Sequence, residues 1–215
     1  IDLTTSFRWR HRFLATAQDK KARSLAGVVE ADETFFLRSQ KGSRKIAGRA
    51  PRKRGGVARK RGISDEQVPV LIVRDRSMAT TDQVLPDLKA GTIARALDPI
   101  VARDALLVSD GAACSSYRSF ANAAGILHVG LNTGAGQHRW GVYHIQNVNA
   151  YMGRLKQWMR RFRGVATRYL PSYLGWRRMI DREGDRMTAC FCIATAAEAS
   201  PRSTCRTPRR CCARA

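Results

Sequence analysis

Residues 142–164 read VYHIQNVNAYMGRLKQWMRRFRG. Placed on a helix, Val148, Met152, Leu155, Met159 and Phe162 fall at spacings of three and four and make one apolar face. Asn149 and Lys156 are seven residues apart, which is two turns, so they stand one above the other beside that face. Arg154, Arg160, Arg161 and Arg163 put positive charge on the remaining surface. Such a helix can bury one side while an amide, a lysine and arginines hold a nucleic-acid backbone over a catalytic centre. An ordinary amphipathic helix with a solvated basic face carries the same pattern. What separates the two readings lies upstream, where two aspartates each follow an apolar run.

The first aspartate lies in Gly27 to Leu37, GVVEADETFFL. Val28, Val29, Phe35 and Phe36 have strand composition and surround an acidic knot of Glu30, Asp32 and Glu33. Carboxylates this close repel one another and must be solvated, paired or metal-bound. On a strand Glu30 and Asp32 point to one face and Glu33 to the other, so one or two of them can address a shared site. An exposed strand edge is the plain alternative. The second aspartate follows Ala105 to Val108, a short apolar run that suits a central strand buried on both faces. Asp110 then sits at the C-terminal edge of that strand, where open α/β sheets place ligands. It would serve equally as a cap for a helix over Ser115 to Ala124.

Arg38 to Gly62 holds eleven Lys or Arg and no acid, with several glycines and almost nothing to bury. It reads as a flexible loop between two strands, with the charge density of a phosphate-gripping arm whose affinity falls as salt rises. Arg44, Lys45, Arg52, Lys53, Arg54, Arg59, Lys60 and Arg61 are its candidate nucleic-acid contacts, joined by Arg160 and Arg161 of the helix. The whole chain leans the same way: 39 Lys and Arg oppose 17 Asp and Glu, a net charge of +22 and a pI near 11.0. That excess resists compaction unless a polyanion offsets it, and arginine suits bidentate phosphate contacts.

At 215 residues there is room for one full domain with an arm or tail, and no run approaches the roughly 18 apolar residues that span a bilayer. Residues 1–26 predict a helix capped by Thr4, Thr5 or Ser6, with Phe7, Trp9, Phe13 and Leu14 among arginines. They read as the end of a basic helical DNA-binding region truncated upstream, since the chain starts at Ile1, or as a plain amphipathic arm. Val68 to Asp75 and Met78 to Leu85 predict strands, and Thr92 to Val101 a helix broken near Pro99. Ile126 to Val129 predicts a strand, and Asn132 to Gly141 a Gly-rich loop. A helix follows from near Thr167, with Pro171 in its first turn. Residues 183–215 lose periodicity and predict a disordered tail. Five of six cysteines fall there with no C-x-x-C and no nearby histidine, so reduced thiols are expected rather than a zinc site.

Strand–Asp, basic insertion, strands, helix, strand–Asp–Gly, helix, strand and long helix is the order of a ribonuclease-H-like domain. That fold is α/β, a mixed sheet flanked by helices, here with a basic disordered insertion after the first strand. VVEADETFF around Asp32, LLVSDGAA around Asp110, and YHIQNVNAYMGRLKQWMRRFRGVATRYLPSYLGW with Asn149 and Lys156 resemble the DDE-type transposases of bacterial insertion sequences. The likeness is to the branch whose third signature residue is Asn, over about residues 3–182, with the catalytic domain at 27–182.

The resemblance implies a transposase that cuts an element's ends and transfers the freed strand to target DNA. Asp32 and Asp110 would be catalytic and hold Mg²⁺ or Mn²⁺, Asn149 would take the third position through its amide oxygen, and Lys156 would contact the phosphate near the cut. It also implies element-end and target DNA as partners, a homo-oligomer on DNA, no membrane, and a DNA-associated place in a prokaryotic cytoplasm. Asn in place of the commoner Glu leaves the general base unassigned, with Glu30, Glu33 and Glu183 as substitutes. The truncated start and Cys-rich tail read as a partial or decayed copy. Two alternatives stand beside this: a ribonuclease-H-like nuclease without strand transfer, and a non-catalytic basic nucleic-acid-binding protein with structural aspartates.

Overall fold

The computed structural model describes residues 1–43, 45–46, 48, 50–53, 55–60, 64–110 and 114–199. Val28–Leu37 (β1), Gln67–Asp75 (β2), Thr80–Val84 (β3), Leu106–Asp110 (β4) and Leu127–Leu131 (β5) join in one sheet of order β3-β2-β1-β4-β5. β1 pairs antiparallel with β2, and β2 with β3, while β1 with β4 and β4 with β5 are parallel. This is the mixed ribonuclease-H-like sheet that the order of motifs predicts.

Helices cover both faces, which is why β2 runs apolar from Val68 to Val73 and β4 opens on Leu106 to Val108. On one side Val70, Ile72, Val108 and Leu131 meet Val148, Tyr151, Leu155 and Leu174. These come from Gln146–Arg160 (α4) and Leu170–Glu183 (α5), with Leu14 of Leu3–Gln18 (α1) beside them. On the other side Leu71, Val73 and Leu107 meet Ile93 and Leu97 of Ala90–Leu97 (α2), and Tyr117 and Phe120 of Cys114–Ala124 (α3). Successive β2 residues thus serve opposite layers, as the two-residue period of a strand requires. α2 stops at Leu97, two residues before Pro99, because the residue ahead of a proline is pushed out of helical geometry.

α4 starts later than the apolar spacing predicts. Arg139–Trp140 (β6) and Tyr143–His144 (β7) form a hairpin instead, turning at Gly141, whose φ of +58° favours glycine. The buried stripe is also wider, taking in Tyr151 and Trp158, and Phe162 lies beyond the helix with its ring 4.8 Å from that of Trp158. Positive φ at Arg163 (+46°) and Gly164 (+89°) ends the segment.

α1 is capped by Asp2, not by Thr4, Thr5 or Ser6: its carboxylate accepts the Thr4 N–H at 3.0 Å. It packs along α5, burying Leu14 and Ala17 and setting the His11 ring 4.1 Å from Tyr169. Arg178 of α5, 4% exposed, donates to the carbonyls of Ala17 and Gln18 at 3.2 and 2.9 Å and pairs with Asp82 of β3. One guanidinium therefore closes the C-terminus of α1 and ties it to the sheet.

Among the described residues of the basic insertion there is no helix or strand, yet its start is held against the exit of α4. Ser39 N–H donates to Thr167 Oγ1, Thr167 N–H donates back to Ser39 O, and Lys41 Nζ reaches the carbonyls of Phe162 and Gly164 at 2.8 and 2.7 Å. Beyond residue 183 the Ala-rich stretch Ala189–Ala199 (α6) is helical and touches α1, where loss of periodicity predicts disorder. Residues 200–215 of that predicted tail lie outside the described residues.

Gly175 sits where α5 crosses α1, and a Cβ there would lie 2.4 Å from the Ala17 carbonyl oxygen. Gly175→Ala is expected to destabilise the fold by about 1–3 kcal/mol. Gly153→Ala, on an exposed part of α4 with nothing within 4 Å, should be neutral or stabilising by up to about 1 kcal/mol. Urea unfolding midpoints of the two variants check the contrast.

Candidate functional site

The β1–β4 ladder ends with Ala31 beside Ser109, and the next residue on each strand is Asp32 and Asp110. Parallel neighbours lie about 4.8 Å apart, so the two carboxylates face one another across the end of the pairing. Strand alternation puts Asp32 with Val28 and Glu30, and Asp110 with Leu106 and Val108, on the side that α4 covers. Asp32 is not at the end of its own strand, which continues to Leu37 against β2. It marks the point where β1 loses β4.

Burial pushes the Asp32 carboxyl up to about 6 from 3.8. The Glu33 N–H, 2.8 Å from Oδ1, works against that rise, the charges of Glu33 and Asp110 add to it, and Lys156 pulls it back. Lys156 therefore lies within electrostatic reach of Asp32, as the weakest of these influences. Both Asp110 oxygens accept from Thr133 Oγ1, at 2.8 and 2.9 Å. Glu33, on the other face, accepts the Tyr117 hydroxyl at 2.6 Å; burial raises its pKa and that bond opposes the rise. Sequence reasoning missed Thr133 and Tyr117. Thr133 stands in a turn with no periodic signal, and Tyr117 is simply one apolar residue among those of α3.

Asn149 and Lys156 both lie on the exposed strip of α4, two turns apart, Asn149 in the first turn. The three spare glutamates separate cleanly. Glu30 is fully buried and bonded to the start of α4, Glu183 pairs with Arg182 at 2.6 Å, and only Glu33 adjoins the aspartates.

Lys45, Lys53, Arg59, Lys60, Arg160 and Arg161 are exposed, whereas Arg52 is engaged with Glu66 at 2.6 Å. Arg44, Arg54 and Arg61 lie outside the described residues. A cavity of about 750 Å³ opens between the insertion, the end of β1 and the second half of α4. Phe36 and Met159 line it together with Lys41, Arg52, Lys156 and Arg160. Lys156 thus lines the basic cavity and lies within electrostatic reach of Asp32.

Among the described residues no group of three or more His, Cys, Asp or Glu is arranged to hold a metal ion. The pair of aspartates still fits a divalent cation. Two crowded carboxylates raise each other's affinity for a proton, and a doubly charged ion relieves the same repulsion. Hard oxygen donors suit Mg²⁺ or Mn²⁺.

A sequence profile described as ISXO2-like transposase domain matches residues 24–177, from just before β1 into α5. No curated protein and no solved structure matches the chain.

The raised Asp32 carboxyl carries a stability signature. Unfolded, it titrates near 3.8; folded, near 6. Between those values the folded chain holds the extra proton, so stability is greatest at the acid side of the window and falls as pH rises through about 6. Asp32→Asn is neutral throughout. In EDTA it should match the parent chain near pH 4 and exceed it at pH 8, read as urea midpoints.

Proposed function

The chain belongs to the ISXO2-like transposase family, and from that premise we propose that it cuts the ends of an insertion sequence and joins them to target DNA in a divalent-metal-dependent reaction. The observation that carries the reading is the adjacency of Asp32 and Asp110 just past the Ala31–Ser109 register, with Lys156 within electrostatic reach of Asp32. Bound between the aspartates, Mg²⁺ or Mn²⁺ would supply positive charge to the oxygens of a phosphoryl group under in-line attack.

The chain's own residues do the rest. Asp32 and Asp110 would hold the ion, and Thr133 fixes the orientation of the Asp110 carboxylate. Lys156 offers an ammonium to a non-bridging oxygen of the phosphate at the cut. Asn149 contributes an amide oxygen that orients without taking a proton or adding charge. Exposed cations of the insertion and of Arg160 and Arg161 hold the flanking backbone, a contact that weakens with salt. Joining two element ends in one event calls for more than one copy of a single-site chain, so we place a homo-oligomer on the DNA. Among the described residues no helix is long and apolar enough to cross a membrane.

The test is the purified chain with duplexes carrying the inverted repeats that flank its coding sequence, a target plasmid, and Mg²⁺. Joined products support the reading. Cleavage without joining would make it a nuclease, and binding with neither would leave a nucleic-acid-binding protein.

In that assay Asp110→Asn should lower cleavage by at least about 10³-fold, since a site built to focus charge loses its ion. Asn149→Ala should cost about 10²-fold and Asn149→Asp less. Lys156→Ala should act mainly on KM for DNA, with a smaller effect at low salt, where other cations compensate. Initial rates against DNA concentration at two salt concentrations separate these outcomes.

A further inference from the structure

Glu30 is a buried carboxylate with no part in the chemistry just described. It stands two residues before Asp32 on β1, faces the same side of the sheet and is 0% exposed. Its Oε2 accepts the Val148 N–H at 3.0 Å, and its Oε1 accepts Asn147 Nδ2–H at 3.0 Å. Oε1 also lies 3.2 Å from Arg76 Nη1 and 3.5 Å from His144 Nδ1. Arg76 donates onward to His144 Nε2 at 2.7 Å and to the Val142 carbonyl at 3.1 Å. One carboxylate therefore gathers the first turn of α4, the end of β2 and the β6–β7 hairpin.

α4 needs such an acceptor. Ile145 at its N-cap position makes no side-chain cap hydrogen bond, so its first N–H groups must be satisfied from elsewhere. Glu30 does this from the neighbouring strand, with its charge at the positive end of the helix dipole. The other contacts of α4 with the sheet are the apolar packing of Val148, Tyr151, Met152 and Leu155 and the Arg74 guanidinium 5.1 Å from the Tyr151 ring. Apolar packing is not directional and leaves small shifts along or about the helix axis soft. Hydrogen bonds to a fixed carboxylate do not. Asn149 is the residue after Val148.

We propose that Glu30 is a positioning residue for the catalytic centre: by holding Val148 and Asn147 it sets where Asn149 stands relative to Asp32 on Glu30's own strand. The proposal rests on Asn149 as the third residue of the site. A misplacement of about 1 Å is enough to cost on the order of 10²-fold in rate. A carboxylate that merely stabilised the fold would change unfolding and leave the geometry around Asn149 alone.

The experiment uses the full chain and the variants Glu30→Gln, Asn147→Ala, Asn149→Ala and Glu30→Gln/Asn149→Ala. Glu30→Gln keeps one oxygen for the Val148 N–H but turns a donor toward Asn147 and Arg76. Asn147→Ala removes a single bond and is the milder variant should the first fold poorly. At saturating end DNA with Mg²⁺, Glu30→Gln should lower kcat by about 10- to 100-fold with KM nearly unchanged, and Asn147→Ala should follow in the same direction by less. In the Asn149→Ala background Glu30→Gln should add less than about threefold, because both changes disable one element.

Amide hydrogen exchange without metal or DNA is the second reading. Glu30→Gln should speed exchange at Val148 and Asn149 and leave Leu155 to Arg160 as in the parent chain. Losses that multiply in the double variant, an effect on KM alone, or unchanged exchange at Val148 and Asn149 would overturn the proposal while an inactive Asn149→Ala kept the reading of the site. Full activity of Asn149→Ala would overturn that reading of Asn149 and this proposal together.

Discussion

Two carboxylates side by side at the end of a parallel strand pair repel each other, and the surroundings of Asp32 and Asp110 are arranged around that repulsion. The register makes it unavoidable: once Ala31 pairs with Ser109, the following residues must be neighbours. Burial makes it worse, because it is the largest cause of the rise in the Asp32 pKa. The protein offsets part of the cost with the Glu33 N–H, the Thr133 hydroxyl and the charge of Lys156, and the next carboxylate on that face, Glu30, is occupied by the start of α4. What is left is a pair of crowded carboxylates, an arrangement that costs stability and suits a doubly charged ion. A fold selected only for stability would exchange one of the two for an amide.

How much of this was legible before the structure depended on whether the signal was periodic. The apolar stripe of Val148, Met152, Leu155 and Met159 repeats with the spacing of a helix, the runs before Asp32 and Asp110 have strand composition, Pro99 breaks its helix by its own ring, and all five sheet strands lie close to where the sequence predicts them. The start of α4 lies later than the sequence predicts, because Val142 and Ile145 continue the spacing of Val148 while Gly141 turns the chain into a hairpin. The cap of α1 shifted to Asp2 because three hydroxyl residues follow it and compete for the same role. At the site, the aspartate pair and Lys156 could be anticipated from residue type and order. Thr133 and Tyr117 could not, since their roles arise from contacts 23 and 84 positions away in the chain.

The excess of arginine sorts by depth. Arg178 and Arg74 are almost wholly buried and paired with Asp82 and Asp181. Asp181 also receives Arg154 and Arg177, at 2.9 and 3.3 Å, so burial, which would raise its pKa, is outweighed and its carboxyl is lowered. Removing one member of such a pair would leave a buried charge alone, so these arginines belong to the fold and are poor candidates for DNA contact. Arg160, Arg161 and the cations of the insertion are different. Apart from Arg52, those described are exposed, and Lys53 and Arg160 line the same cavity as Lys156. Stability and polyanion binding thus draw on separate subsets of one residue type.

The same division explains why three acids crowd into GVVEADETFFL. Glu30 turns to the α4 side and meets the Val148 N–H, whereas Glu33 turns to the opposite side and meets the Tyr117 hydroxyl of α3. Asp32 lies between them in sequence, next to the end of β4 that carries Asp110. Each neighbour is hydrogen-bonded to a helix of a different layer, so the strand segment that carries Asp32 is fixed from above and below the sheet by charge-assisted bonds, which hold direction as apolar packing does not. A sequence pattern shows that alternate residues on a strand face opposite ways, but not what waits on either side. The acidic knot therefore looks like self-repulsion in the sequence, and in the fold it becomes one aspartate held by two anchors.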